Sequence, residues 1–136
     1  MVDIDVFNGN SAKSLSIRCK IETFALRSCF DGLNEEDFRQ YEKILDRLAK
    51  ACRKRNYSEI AELDIDFHRA IIRRAGIPVL NAIWTSIVAR TRSHFRETQL
   101  NYSNPMDVHA EHTAILQAFR KGTLDVAVKM LEENIA

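Results

Sequence analysis

A chain of 136 residues, 46% hydrophobic and 29% charged, has the size and make-up of one globular domain whose core needs no disulfide or metal staple. Four Gly and two Pro leave little material for a turn-rich β architecture, and 20 Lys and Arg against 19 Asp and Glu give a formal charge of +1, which excludes a domain gripping phosphate backbones by bulk charge. The opening MVDIDVFNGN has neither the basic nor the apolar part of a signal peptide, and no apolar run approaches the ~20 residues of a membrane span, so a cytoplasmic protein is expected.

Residues 1–10 read as a polar N-terminal extension to a domain occupying 11–136. SLSIRCKIETFALRSCF then places Ile17, Ile21, Phe24 and Ser28 on one side of a helix, and DGLN ends it. Asn34 followed by Glu35, Glu36 and Asp37 predicts an N-cap with an acidic first turn, opening a helix whose Phe38, Tyr41, Leu45, Leu48 and Cys52 repeat at alternating three and four. Its basic end, CRKRN, complements the helix dipole and needs no nucleic acid to explain it. Ser58 is the expected cap of a third helix, with Ile60, Leu63, Phe67, Ile71 and Ala75 as its apolar stripe and Gly76 as its stop. Pro78 suits the first turn of a long helix reaching about residue 99. NYSNP is a loop in which Asn104 is the expected cap and Pro105 the first residue of a helix carrying Val108, His112, Ile115 and Phe119 on one stripe. Gly122 closes that helix, and Thr123 caps a final one in which Ala127, Met130, Leu131 and Asn134 share a face. About six helices with short connections predict an all-α antiparallel bundle. Cys19, Cys29 and Cys52 are odd in number and form no CxxC pair, so reduced thiols serving as small core residues are expected.

Three of these stripes carry polar intruders: Asp64 and His68 on the third helix, His112 on the fifth and Asn134 on the sixth. A buried unpaired carboxylate costs several kcal/mol or neutralises itself, and two compensations are open. Asp64 accepts a hydrogen bond from His68 four residues on, or the intruders converge on one divalent cation at about 2.0–2.2 Å. Spacing alone does not show that the helices meet. His94, on the face of Ile87 and Arg90, and His109, one turn before His112, are weaker candidates; Glu111 is expected to be exposed.

The ordered set of short motifs resembles the FadR C-terminal (FCD) ligand-binding domain of GntR-family bacterial transcription regulators. The motifs are R-x-x-I-E from Arg18 to Glu22, D-x-x-x-H with Phe before His from Asp64 to His68, AGIPVL, and EHTAILQAFRKGTLDVAVKMLEENI. The resemblance spans nearly the whole chain and implies metal ligands at Asp64, His68 and His112, with the family's last histidine falling at Asn134, a weaker ligand for Zn²⁺ or Ni²⁺ through its carbonyl or a water. It further implies a small carboxylate effector, a homodimer, and DNA contact only through a winged helix-turn-helix domain that normally precedes this one and has no counterpart in these 136 residues. Arg18 and Arg90 are the candidates for pairing the effector carboxylate, since a guanidinium does so bidentately. The expected function is therefore non-enzymatic effector sensing. Two alternatives remain: a metal-free dimerisation module, and a non-haem metal enzyme, whose facial triad an Asp/His/His set resembles in composition.

Overall fold

The computed structural model of the chain describes residues 12–135, so the extension expected at 1–10 lies outside the described residues, as do positions 11 and 136 of the expected domain. Six α-helices account for most of them: α1 Ala12–Cys29, α2 Glu35–Arg53, α3 Tyr57–Ala75, α4 Pro78–Leu100, α5 Met106–Lys121 and α6 Leu124–Ile135. A 3-10 turn at Phe30–Gly32 separates α1 from α2, and no strand occurs among the described residues. The all-α bundle expected from composition and periodicity is what forms.

Local chemistry sets most boundaries. Asn34 and Asp37 form a reciprocal capping box at the start of α2, each side chain accepting from the other's backbone N–H. Gly76 ends α3 in the left-handed region at φ 67°, where a side chain would be strained, and Pro78 opens α4 at a position where its missing N–H has no helical partner. Two expectations shift. The cap of α3 is Asn56 rather than Ser58, because the Asn56 side chain accepts from the Glu59 N–H at 3.2 Å and leaves Ser58 inside the helix. On α5, Pro105 sits at the cap position itself and the helix starts at Met106, while Asn104 Oδ1 still accepts from the Met106 N–H at 3.0 Å. Thr123 caps α6 as expected, its hydroxyl accepting from the Val126 N–H.

Helix α3 is the axis of the fold, with α1, α2 and α4 packed against it. A closed circuit runs from α3 through α2, α5, α6 and α1 back to α3, so side chains from all of these helices point into one interior. The stripe predicted for α2 is buried throughout, as are Ile60, Leu63, Phe67 and Ile71 on α3 and Val108, His112, Ile115 and Phe119 on α5. Phe67 is the hinge of this core: fully buried, it lies 5.2 Å from the Tyr41 ring, 6.4 Å from Phe119 and 4.9 Å from His112. Truncating such a ring costs about 3–5 kcal/mol, a large part of a domain's net stability.

Helix α1 inverts what hydrophobicity alone predicts. Of its predicted apolar side Ile17 and Phe24 are half exposed and only Ile21 packs against the core, while Arg18, Glu22, Ala25, Leu26 and Cys29 face the interior. Two charged residues therefore enter the core from a helix whose predicted apolar stripe lies largely outside it. All three cysteines are free, Cys29 and Cys52 buried and Cys19 half-buried. No helix among the described residues is long and apolar enough to cross a membrane.

Candidate metal and effector site

The polar intruders meet. Asp64 Oδ1 lies 2.8 Å from His112 Nε2 and 3.3 Å from His68 Nε2, and His68 Nε2 lies 3.0 Å from Asn134 Oδ1. Potential ligand atoms of Asp64, His68 and His112 all fall within 4.8 Å of one another, and all three residues are buried. Asn134 is half-buried at the edge of the cluster.

Each imidazole is aimed by a partner on its far side. His112 Nδ1 donates to the Val108 carbonyl one turn back at 2.8 Å, which a carbonyl can only accept. His68 Nδ1 faces Glu22 Oε1 at 2.5 Å. Glu22 is wholly buried and holds three donors, because its Oε2 also accepts from Arg18 Nε at 2.5 Å and from the Trp84 indole N–H at 3.0 Å. With both Nδ1 atoms serving as donors, both Nε2 atoms point toward the Asp64 and Asn134 oxygens, and a ring that carries no proton at Nε2 offers a lone pair there. Two lone-pair nitrogens and two acceptor oxygens pointing at one place are a donor set that fits a divalent transition metal, and a proton is what can take its place.

The electrostatics agree. Burial pushes the Glu22 carboxyl up, but Arg18, then His68, then the Trp84 hydrogen bond outweigh it and hold the group down at about 2. Burial likewise raises Asp64, and His112 and His68 overcome it, leaving Asp64 well below the usual carboxylate range. For His68 burial acts downward, and the Glu22 carboxylate and the Asp64 contact raise it to about 9. The Glu22 and Asp64 carboxylates thus favour a proton on His68, and an ion binding at its Nε2 would have to displace that proton.

A cavity of about 230 Å³ adjoins this cluster, lined by Asp64, Asn134, Arg18, His94, Phe95 and Thr98 among others. Arg18 is 3% exposed, its guanidinium lies 4.4 Å over the Phe95 ring, and its Nη2 has no hydrogen-bond partner. A buried guanidinium nitrogen without an acceptor, in a residue that lines a cavity, is a place for an anionic oxygen.

Asp64, His68, His112, Asn134 and Arg18 are therefore brought together, and His94 joins them as a cavity-lining residue. Arg90 is not: it is exposed on α4, bonded to the Ser86 carbonyl and hydroxyl on its own helix, and does not line the cavity. His109 is half-buried outside the cluster, and Glu111 is exposed as expected, accepting from the Tyr102 hydroxyl at 2.6 Å. Sequence reasoning missed the roles of Glu22, Trp84 and Gln99. Gln99 is buried at 1% exposure and donates from Nε2 to Asp64 Oδ2 at 2.9 Å. The signal for Glu22 was present, since Arg18 and Glu22 stand four apart on a helix face otherwise filled by Ala25, Leu26 and Cys29.

Comparison with known families matches residues 13–136 to the FCD domain, and the chain belongs to that family. No curated protein and no solved structure matches the chain.

Proposed function

Proceeding from membership of the FCD family, we propose that this chain is the effector-sensing domain of a GntR-type transcription regulator, binding a small carboxylate beside a divalent metal and acting without catalysis. The observation that carries the reading is the convergence of Asp64, His68 and His112 next to a cavity in which Arg18 Nη2 has no partner. Asp64 Oδ1 and the two Nε2 atoms would hold Zn²⁺ or Ni²⁺, with Asn134 as a weak fourth donor or the neighbour of a bound water. An ion held there would supply Lewis-acid attraction for an effector oxygen. The protein's own residues do the rest: Arg18 pairs the carboxylate, and Phe95 and Thr98 set the shape of the space.

Control of DNA follows from differential affinity. A ligand that binds one arrangement of a homodimer more tightly than another shifts the population toward it, and winged helix-turn-helix domains joined to the sensor, working in the bacterial cytoplasm, read out the shift. Helices α1 and α4 pack together and carry exposed Ile17, Phe24, Val79 and Ile83, which supports this surface as the dimer face.

The test is calorimetric titration of Zn²⁺ into chelator-treated protein, followed by a panel of small carboxylates with and without metal. Wild type should bind one ion per chain and His112→Ala should weaken it by 100-fold or more, about 3 kcal/mol. Equal affinities would remove the shared site. A metal-free reading is favoured by one observation, that both Asp64 oxygens already have partners. It predicts no Zn²⁺ uptake and unchanged carboxylate binding after chelation. Turnover of a bound carboxylate by the ferrous-loaded protein would replace the sensing role with the enzymatic alternative.

A further inference from the structure

The two oxygens of Asp64 keep different company. Oδ1 faces both histidines, whereas Oδ2 is occupied by the Gln99 amide at 2.9 Å, delivered from the last turn of α4. On the other α3 ligand, the ring atom away from the centre is held by Glu22, whose second oxygen is fixed by Arg18 and by Trp84 near the start of α4. Both contacts lie outside the candidate ligand set. Each constrains one degree of freedom that an ion would notice: which nitrogen of His68 carries the proton, and how many oxygens Asp64 can offer.

We propose that Glu22 and Gln99 are the positioning residues of this centre, Glu22 fixing His68 in the Nδ1–H tautomer and Gln99 restricting Asp64 to a single ligating oxygen. The inference rests on the metal reading above. Its consequence is selectivity, because two imidazole nitrogens and one carboxylate oxygen suit Zn²⁺, Ni²⁺ or Co²⁺, whereas Ca²⁺ calls for six to eight oxygens and often a bidentate carboxylate. Long α4 would then align both ligands of α3, one near each of its ends.

Two near-isosteric substitutions separate positioning from packing. In Glu22→Gln, Arg18 Nε and the Trp84 N–H can only donate, so the amide oxygen stays with them and its NH₂ turns to His68 Nδ1. The ring proton moves to Nε2, the nitrogen an ion needs. Co²⁺ affinity should fall 10- to 100-fold, the usual effect of losing such an outer partner. Imidazole ¹⁵N shifts of the metal-free protein, recorded on the alkaline side of the His68 pKa, should report the opposite tautomer from wild type. In Gln99→Met the amide is lost and Oδ2 is released, so the visible band of bound Co²⁺ should change intensity as its coordination number rises. Melting of the metal-free variants verifies that each is folded, and each variant tests its own residue. If wild type binds Co²⁺ and both variants keep its affinity, tautomer and band, the inference is overturned alone. If wild type takes up no Co²⁺, the metal reading falls and this inference falls with it.

Discussion

Zinc uptake by the metal-free protein should displace at least one proton, and the competition sets a measurable slope. His68 stays protonated up to about pH 9, because the Glu22 carboxylate at 2.5 Å and the Asp64 contact outweigh the downward push of burial. An ion needs the Nε2 lone pair, so binding below that pKa expels the His68 proton. The apparent Kd should fall at least tenfold per pH unit, about 100-fold or more from pH 6 to pH 8, which corresponds to about 3 kcal/mol. The same proton bears on stability. Since the folded pKa lies above the ordinary 6.5, its contribution to the metal-free fold is complete below that pH and is lost as pH rises through about 9. Metal-loaded protein should not show this alkaline loss. Titration calorimetry in two buffers of different ionisation heat counts the protons released, and melting curves with and without Zn²⁺ follow the stability. A Kd constant across this range with no proton released would refute the reasoning, because His68 would then have to be neutral beside two carboxylates.

Asn134→His should tighten Zn²⁺ binding about tenfold or more by exchanging a weak carbonyl donor for an imidazole at the position 3.0 Å from His68; unchanged affinity with a lowered melting temperature would mean that residue 134 only packs. Arg18→Gln removes the cation from a fully buried carboxylate, an effect of about 3–5 kcal/mol, so the melting temperature should drop by about 10–17 °C, measured by calorimetry. Arg90→Gln, on an exposed side chain bonded within its own helix, should stay within about 0.5 kcal/mol of wild type and leave carboxylate affinity unaltered. Phe24→Glu should shift sedimentation of the chain from dimer toward monomer while leaving its helical circular dichroism unchanged, since the ring is 58% exposed in the single chain.

Much of the bundle is legible in the sequence because α2, α3 and α5 each have one apolar side and that side is the buried one. Asp64, His68 and His112 stand out for the same reason: a polar residue on a long apolar stripe must be compensated, and the structure brings three such residues into one network. Helix α1 defeats this logic. Its interior face is built from an ion pair with Ala25, Leu26 and Cys29, so the more hydrophobic Ile17 and Phe24 mark the wrong side, and only Ile21 of the predicted stripe packs half-buried against the core. In the sequence Glu22 consequently reads as part of a motif and not as a site residue. Gln99 is not legible, because a neutral amide at the end of a long helix carries no periodic signal and its contact with Asp64 exists only in the folded chain. Position along the chain favours Arg90, yet α4 presents Phe95 and Gln99 to the interior and Arg90 to solvent. Periodicity orders residues around one axis and says nothing of which neighbouring helix completes the site.

Trp84 is the chain's single tryptophan, wholly buried, and its N–H ends on the carboxylate that also touches His68. The protein therefore carries its own optical reporter, two hydrogen bonds from the candidate centre. Exchange of the His68 proton for an ion changes the charge that Glu22 must balance, and that field acts directly on the indole. Emission from Trp84 can follow loading of the centre in real time, free of labels and of background from other indoles in the chain.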